Sequence, residues 1–408
     1  VDSEDRPAGS VPAGPVELVI ADARIATADG AAAVDILIGS GRIIAVDRHD
    51  RHDRHDGRSA APLTEDATVI DAAGALVSPG LIDLHLHGGF GTAFGRADDQ
   101  RLDALTAGLA ARGVTTVLAS LVSGTTDRLA EQLGSLSPRL GDHAGHATIA
   151  GIHLEGPFLA VAQAGAHDPA TLRSPSAADL ELIADHADAI AMITVAPEVP
   201  GVDEVITLCA DRGIVAAIGH SNGDQRDFDR AVAAGARHVT HLWSGQSLVS
   251  RRGPWRVPGM LEASLASSLT AEVIADGKHL PSTLLEIARR CLGERLIVVS
   301  DATAGAGMPE GYAYDLGTVG CRVADGVGMV VGQDAFGGST TLVDGMLRHL
   351  VGDLGWPLHQ TLAMLTATPA AVLGRADLGV IAPGARADLV VWTPELTART
   401  VIINGTPV

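Results

Sequence analysis

The chain has 408 residues, 46% of them hydrophobic, which is enough to bury a large core across more than one domain and excludes a natively unfolded polymer. Its 29 Lys+Arg against 49 Asp+Glu give a formal charge of −20, which repels nucleic-acid phosphates and anionic membrane surfaces and obliges any anionic substrate to find a local cationic pocket. Three scattered cysteines, Cys209, Cys291 and Cys321, none in Cys-x-x-Cys spacing, exclude a disulfide framework and a thiolate zinc site and fit a reducing compartment.

The first segment, Val1 to Val16, is acidic and rich in Pro and Gly, without the basic and apolar regions of a secretory signal. Residues 1–15 are expected to be disordered. No apolar run approaches the roughly 18 residues that suggest a membrane span, so the protein is expected to be soluble and cytoplasmic. Short apolar runs broken by turns follow: Leu18 to Ile20, Ile36 to Ile38, Ile43 to Val46 and Thr68 to Ile70. They read as strands of a small β domain, and Asp388 to Trp392 with Thr400 to Ile403 read the same way, so residues 16–78 and 378–408 are expected to form one β-sandwich. Between Arg48 and Asp56 the tripeptide Arg-His-Asp occurs three times; a solvated loop fits it better than a metal-binding tract, because it lies between strand signals without apolar periodicity.

Residues 79–377 alternate strand-like and helix-like segments, the pattern of a parallel sheet with crossover helices. Eight strand-like runs are present: Leu81 to Leu84, Val114 to Ala119, Thr148 to Leu154, Ile190 to Ala196, Ile214 to Ile218, His238 to Leu242, Thr270 to Ile274 and Leu296 to Val299. Helices are expected at Leu102 to Ala111, Ala177 to His186, Val202 to Cys209, Thr283 to Arg290, Leu342 to Leu350 and Leu358 to Leu365. The fold class is therefore α/β, a (β/α)8 TIM-type barrel joined to the small sandwich.

Polar residues able to bind metal follow most of these strands: His85 and His87, Glu155, Glu198, His220, His241, Asp276 with His279, and Asp301. In such a barrel these positions converge on one mouth. His85 and His87, two apart in a strand, point to one face and can grip one ion. An acid at Glu155, directly after an apolar strand, needs a cation or donor to be buried. Neutral imidazoles at His220 and His241 suit zinc or iron. Asp301 can bind a metal or take a proton from water.

With these residues the resemblance becomes specific. The chain is similar to amidohydrolase-superfamily members of the N-acetylglucosamine-6-phosphate deacetylase family. The similarity is carried by His153-Leu154-Glu155-Gly156-Pro157-Phe158, Gly165-Ala166-His167, Val195-Ala196-Pro197-Glu198, Gly219-His220-Ser221, Thr240-His241-Leu242, Ile274-Ala275-Asp276-Gly277 with His279, and Ser300-Asp301-Ala302, in family order. The resemblance implies hydrolysis of the N-acetyl amide of N-acetylglucosamine 6-phosphate to glucosamine 6-phosphate and acetate by a metal-activated water. Glu155, His220 and His241 match the family's metal ligands, Asp301 its general base and acid, and His167 the group that polarises the acetyl carbonyl. His85 and His87 imply a second ion, the two ions bridged by Glu155, and Asp301 is also among the metal ligands. One or two divalent ions per subunit are expected, zinc foremost, with iron, manganese, cobalt or cadmium as alternatives. The same resemblance places Ala166, Ser244, Gly245, Arg256, Asp276, Lys278, His279, Ala335, Phe336 and Gly337 at the sugar phosphate, and implies a homodimer whose neighbouring subunit contributes to the phosphate pocket.

Two segments depart from the family pattern. His241-Leu242-Trp243-Ser244-Gly245-Gln246 stands where His-Leu-Tyr/Phe-Asn-Ala-Met is usual, and Ala335-Phe336-Gly337-Gly338 replaces Leu-Ala/Ser-Gly-Ser. A second reading therefore keeps the metals and changes the substrate to N-acetylgalactosamine 6-phosphate, an unphosphorylated amino sugar or an N-acyl amino acid. Arg251, Arg252 and Arg256 either supply the local positive charge for a phosphate or form a solvated loop. A catalytically silent barrel would lack a ligand or the base, and none is missing.

Overall fold

The computed structural model describes residues 14–48 and 63–408. The Arg-His-Asp tract beyond Arg48, and residues 1–13, lie outside the described residues. Eight strands, Leu81–Leu86, Val114–Val122, Thr148–Glu155, Ile190–Val195, Val215–Ile218, His238–Val239, Thr270–Ile274 and Leu296–Val299, form one sheet in sequence order. Every adjacent pair is parallel. The runs are apolar on both faces because helices cover the outside and barrel side chains fill the inside.

The seam between the eighth strand and the first closes just past the strand ends. There the Asp301 N–H donates to the His85 carbonyl at 2.9 Å and the His87 N–H to the Ala302 carbonyl at 2.8 Å. Beneath it the buried Asp83 carboxylate accepts from the Ser300 hydroxyl and, at 3.1 Å, from the Ser300 N–H. Barrel closure itself therefore sets His85, His87 and Asp301 side by side.

Several elements differ from the sequence pattern. The sixth strand stops at Val239 instead of Leu242, although the Thr240 and Leu242 N–H groups still donate to the Ile218 and Glu272 carbonyls, and Trp243 adopts φ 68°. The helix after Leu342 runs as Val343–Arg348 and widens into a π-type turn over His349–Asp353. Helices Thr126–Leu136 and Gln225–Ala234 join those read from periodicity. Two insertions at the mouth went unread, a hairpin of Ser250–Arg252 with Trp255–Val257 and a three-stranded antiparallel sheet of Ala313–Leu316, Val319–Ala324 and Val327–Val330. Short alternating stretches in a Gly-rich loop look like connection until they pair.

The first terminal sheet orders Arg42–Arg48, Gly30–Gly39, Val16–Thr27 and Leu63–Asp71; the second orders Thr406–Pro407, Ala398–Ile403, Leu389–Trp392 and Val77–Pro79. Leu18, Ile20, Val34 and Ile36 of the first sheet pack on Leu389, Val391 and Ile402 of the second. The alternate residues of the same strand, Val390 and Trp392, face the barrel core. Period-two alternation with both faces apolar thus makes Leu389–Trp392 the joint between sandwich and barrel. Among the described residues no helix is long and apolar enough to cross a membrane.

Trp392 is 1% exposed, and its indole N–H donates to Ser78 Oγ at 2.8 Å. Trp392→Ala opens a cavity at this joint and is expected to cost about 3–5 kcal/mol of stability, read as a lowered urea midpoint. An unchanged midpoint would remove the joint from the stability of the fold.

Candidate metal centre

The mouth of the barrel is built from side chains that its strands deliver at their carboxyl ends. Glu155 is the last residue of the third strand, and His85 lies within the first. His220 and Asp301 follow the fifth and eighth strands with φ values of 45° and 46°. Left-handed backbone at non-glycine residues is strained and collects at functional sites. Gly245, at φ 70°, lacks the Cβ that would lie 2.8 Å from His220 Nδ1, so its backbone passes close against the ring.

Glu155 is 3% exposed and sits at the centre. Its Oε1 lies 3.0 Å from His220 Nε2 and 2.8 Å from His241 Nε2. Its Oε2 lies 3.2 Å from His87 Nε2, 3.5 Å from His85 Nε2 and 3.2 Å from His167 Nε2. Asp301 Oδ1 is 3.3 Å from His87 Nε2 and 3.6 Å from His85 Nε2. One carboxylate therefore spans two groups of imidazoles, one oxygen to each, and His167 joins the second.

The far side of each ring assigns its tautomer. His220 Nδ1 lies 2.7 Å from the Gln163 carbonyl, His87 Nδ1 3.2 Å from the Ser120 carbonyl and His85 Nδ1 3.3 Å from Glu272 Oε2. Each Nδ1 faces an acceptor, so each ring in its neutral form carries the hydrogen there and presents an Nε2 lone pair to the centre, the arrangement of a metal ligand. His167 is the reverse: the Ser123 backbone N–H donates to its Nδ1 at 3.3 Å, leaving a donor N–H at Nε2. His241 Nδ1 is buried without a partner, so Nε2 makes its polar contact.

This donor set fits a divalent metal. His85 Nε2 and His87 Nε2 are 3.2 Å apart, and with both rings neutral and their hydrogens at Nδ1 the facing lone pairs repel unless a cation lies between them. His85 with Glu155 and His241, His85 with His87 and Asp301, and Glu155 with His167 and His220 each bring three ligand atoms within 4.8 Å of one another. The tautomer argument keeps His167 out of the ligand set.

The electrostatics agree. Burial opposes charge on Glu155, but His85 and His167 outweigh it and hold the carboxyl well below the usual carboxylate range. Burial also opposes charge on Asp301, yet in the metal-free protein protonated His87, through a hydrogen bond and its charge, and protonated His85 bring it down to about 2. Burial disfavours a charged His85, and Glu155 and Glu272 overcome it, raising its pKa well above the ordinary value. The carboxylates demand positive charge here, which protons on histidine or a bound cation can supply.

The other residues singled out from sequence divide. Asp276 has a fully buried carboxylate that accepts from the Lys278 and His279 N–H groups at 2.9 and 2.8 Å and contacts His279 Nδ1 at 2.7 Å. It shapes the loop and fixes His279, whose ring packs 4.5 Å from that of Phe336. Lys278 is exposed. Gly337 accepts from the Tyr314 hydroxyl at 2.9 Å, and Ala335 and Ala166 pack near Tyr314 in a small core of the inserted sheet. Ser244 and Gly245 follow His241 in one turn. Arg256 stands apart on the exposed hairpin, its guanidinium 3.3 Å from its own Pro254 carbonyl. Glu198, read as metal-capable, instead accepts from Ser221 Oγ at 2.6 Å and the Asn222 N–H, holding the turn after His220.

Two clefts flank the centre. One of about 510 Å³ reaches His87 past Ser120 and Ser123, and another of about 610 Å³ is lined by Gln163, Asn222, Gln246 and Arg252. Sequence reasoning missed the polar residues under the centre: Ser120, Thr194, His238 and Glu272, with His153 quoted only as part of a motif. Each is buried in a barrel strand. The signal available was a polar residue inside an apolar run, as at Glu272.

Residues 76–408 match the model of the Amidohydrolase family. An N-acetylglucosamine-6-phosphate deacetylase of Caenorhabditis elegans is 30% identical over 82% of this chain and 83% of its own length. An N-acetylgalactosamine-6-phosphate deacetylase of Escherichia coli O157:H7 is 29% identical over 84% of this chain and 90% of its own. Among solved structures, a mutant N-acetyl-D-glucosamine-6-phosphate deacetylase from Mycobacterium smegmatis in complex with N-acetyl-D-glucosamine-6-phosphate superposes with a TM-score of 0.84 at 32% identity, covering 97% of this chain and 99% of that one.

The tautomer assignment separates the histidines experimentally. His220→Ala and His241→Ala are each expected to lose a metal equivalent on elemental analysis of the purified protein, whereas His167→Ala keeps the parent stoichiometry. Loss of metal from His167→Ala, or full retention by the other two, would overturn the assignment.

Proposed function

Because the chain belongs to the N-acetylglucosamine-6-phosphate deacetylase family of the amidohydrolases, we propose that it hydrolyses the N-acetyl amide of N-acetylglucosamine 6-phosphate, releasing glucosamine 6-phosphate and acetate. The observation that carries this reading is the division of labour around Glu155: imidazoles whose neutral forms present lone pairs, one imidazole presenting N–H, and the Asp301 carboxylate beside His85 and His87. Amide hydrolysis needs an activated water, a donor for the oxyanion and a proton for the leaving amine.

In this proposal Glu155, His220 and His241 hold one ion, and His85, His87 and Asp301 hold a second, with Glu155 between them. Zinc suits the nitrogen and oxygen donors, and a bound ion supplies Lewis acidity that lowers the pKa of water toward about 7. Asp301, ionised across the neutral range, accepts the proton of the attacking water. His167 donates Nε2–H to the acyl oxygen as charge develops there. When the C–N bond breaks, Asp301 returns the proton to the amine nitrogen and the acyl group leaves as acetate.

The catalytic unit in this reading is residues 79–377, and residues 16–78 with 378–408 are its supporting sandwich. His279, fixed by Asp276 and faced by Phe336, sits at the phosphate with Ser244 and Gly245. Arg256 reaches the phosphate pocket of a neighbouring subunit in a homodimer, which accounts for its exposed hairpin. The exposure of Leu248, Val249 and Trp255 on and beside that hairpin supports a subunit contact there. Three free cysteines support a cytoplasmic location.

A second reading, a deacylase of another N-acyl substrate, is favoured by Ser244, Gly245 and Phe336 and by the similarity to the galactosamine enzyme. Turnover of N-acetylglucosamine 6-phosphate, N-acetylgalactosamine 6-phosphate and their unphosphorylated counterparts, with defined metal, decides between them.

Asp301→Asn keeps size and tolerates left-handed backbone, so the fold is retained while turnover falls by about 10²-fold or more. Near-normal turnover would sink the acid and base role. Arg256→Ala is expected to raise KM for the phosphorylated sugar by about tenfold or more and to leave the unphosphorylated one unchanged. Equal turnover of both sugars by the parent enzyme, with neither affected by the substitution, would shift the assignment to the second reading.

A further inference from the structure

Beneath the metal centre the barrel interior holds a buried acid that the proposed chemistry does not use. Glu272 lies in the seventh barrel strand with a side chain of zero exposure. Its Oε1 is 3.0 Å from His238 Nε2; its Oε2 is 3.3 Å from His85 Nδ1 and accepts from the His241 backbone N–H at 3.2 Å. The amide of His241 is a donor in every protonation state. His238 Nδ1 lies 2.7 Å from Thr270 Oγ1, whose hydroxyl can donate to it, leaving the hydrogen at Nε2 for Glu272. Three N–H groups then converge on the carboxylate, and each of its hydrogen bonds is accounted for.

His238 alone could satisfy a structural acid. What sets Glu272 apart is Oε2, which ties together His85 of the first strand, by its ring, and His241, just past the sixth strand, by its backbone. On its other side the His85 ring meets His153 edge-on at 4.5 Å, and His153 is itself held by Ser120 Oγ at 3.0 Å and Thr194 Oγ1 at 2.8 Å. His153 fixes where the His85 ring lies, and an acceptor at Nδ1 fixes which nitrogen bears the hydrogen.

We propose that Glu272 is a positioning residue that locks His85 in the Nδ1–H tautomer and so keeps its Nε2 lone pair available to the second metal ion. The proposal rests on the reading of His85 as a ligand. An apolar residue at 272 removes the acceptor and frees His85 to carry its hydrogen at Nε2, where it cannot ligate. Glutamine keeps one oxygen for His85 if its amide nitrogen turns to His238, but loses the charge that makes the imidazole more basic.

The test is calorimetric titration of metal-stripped protein with Zn²⁺, following the ion whose binding is lost in His85→Ala. Glu272→Leu is expected to weaken that ion by about 10–100-fold and Glu272→Gln by less, while the other ion changes by under about threefold. Neither substitution should weaken zinc binding further in the His85→Ala background. If Glu272→Leu does not fold, Glu272→Gln alone carries the comparison. Equal weakening of both ions, no weakening in either variant, or weakening that persists without His85 would overturn the proposal. Deacetylase turnover of the parent is measured separately: its absence would sink the proposed activity and leave the zinc result standing.

Discussion

The structure is organised around the burial of one carboxylate. Taking Glu155 out of water costs several kcal/mol unless donors or a cation surround it, and no single strand can furnish those partners. They come instead from the ends of the first, fifth and sixth strands and from the loop carrying His167. The requirement that four separate segments meet at one carboxylate explains features that look unrelated locally. His220 and Asp301 accept strained backbone to turn inward. Residue 245 gives up its side chain, and Glu198 is consumed in holding the turn behind His220.

Below that point the barrel is less apolar than its strands suggest. Asp83, His153, Thr194, His238, Thr240 and Glu272 are all buried, and they pair largely with one another or with neighbouring hydroxyls. Thr194 links His153 to Thr240, for instance, through contacts of 2.8 and 2.7 Å. A connected polar layer of this kind specifies one arrangement of rings, because any rotated imidazole leaves a donor or acceptor unpaired in a dry interior.

How much of this was legible depends on range. The eight strands were readable because each is a continuous apolar run between turns, and the residues at their ends were readable because barrel topology sends those positions to one mouth. His85, His87, Glu155, His220, His241 and Asp301 were all placed together in this way. Glu272 and His238 were not, since a polar residue within a strand reads as a solvated face until closure shows that face to be the interior. The ring tautomers of His220, His87 and His167 were out of reach for another reason: they are set by backbone groups of Gln163, Ser120 and Ser123, which carry no side-chain signature. Arg256, which the family resemblance places with His279 at the sugar phosphate, stands on an exposed hairpin with its guanidinium 3.3 Å from the Pro254 carbonyl.

The strand Leu389–Trp392 also carries a kinetic consequence. It pairs with Val77–Pro79 from roughly three hundred residues away, and the ligands themselves are split between residue 85 and residue 301. During synthesis the first sheet of the sandwich, with Leu18, Ile20, Val34 and Ile36 on its inner face, waits for Leu389, Val391 and Ile402 to emerge before that face is covered. The group His85, His87 and Asp301 likewise cannot assemble before the eighth strand closes the seam, so under the proposed function an ion held there would be captured late in folding. An ion held there adds its binding free energy to the stability of the closed barrel alone. Limiting metal during expression should therefore lower the yield of folded protein before it lowers the activity of the molecules that fold.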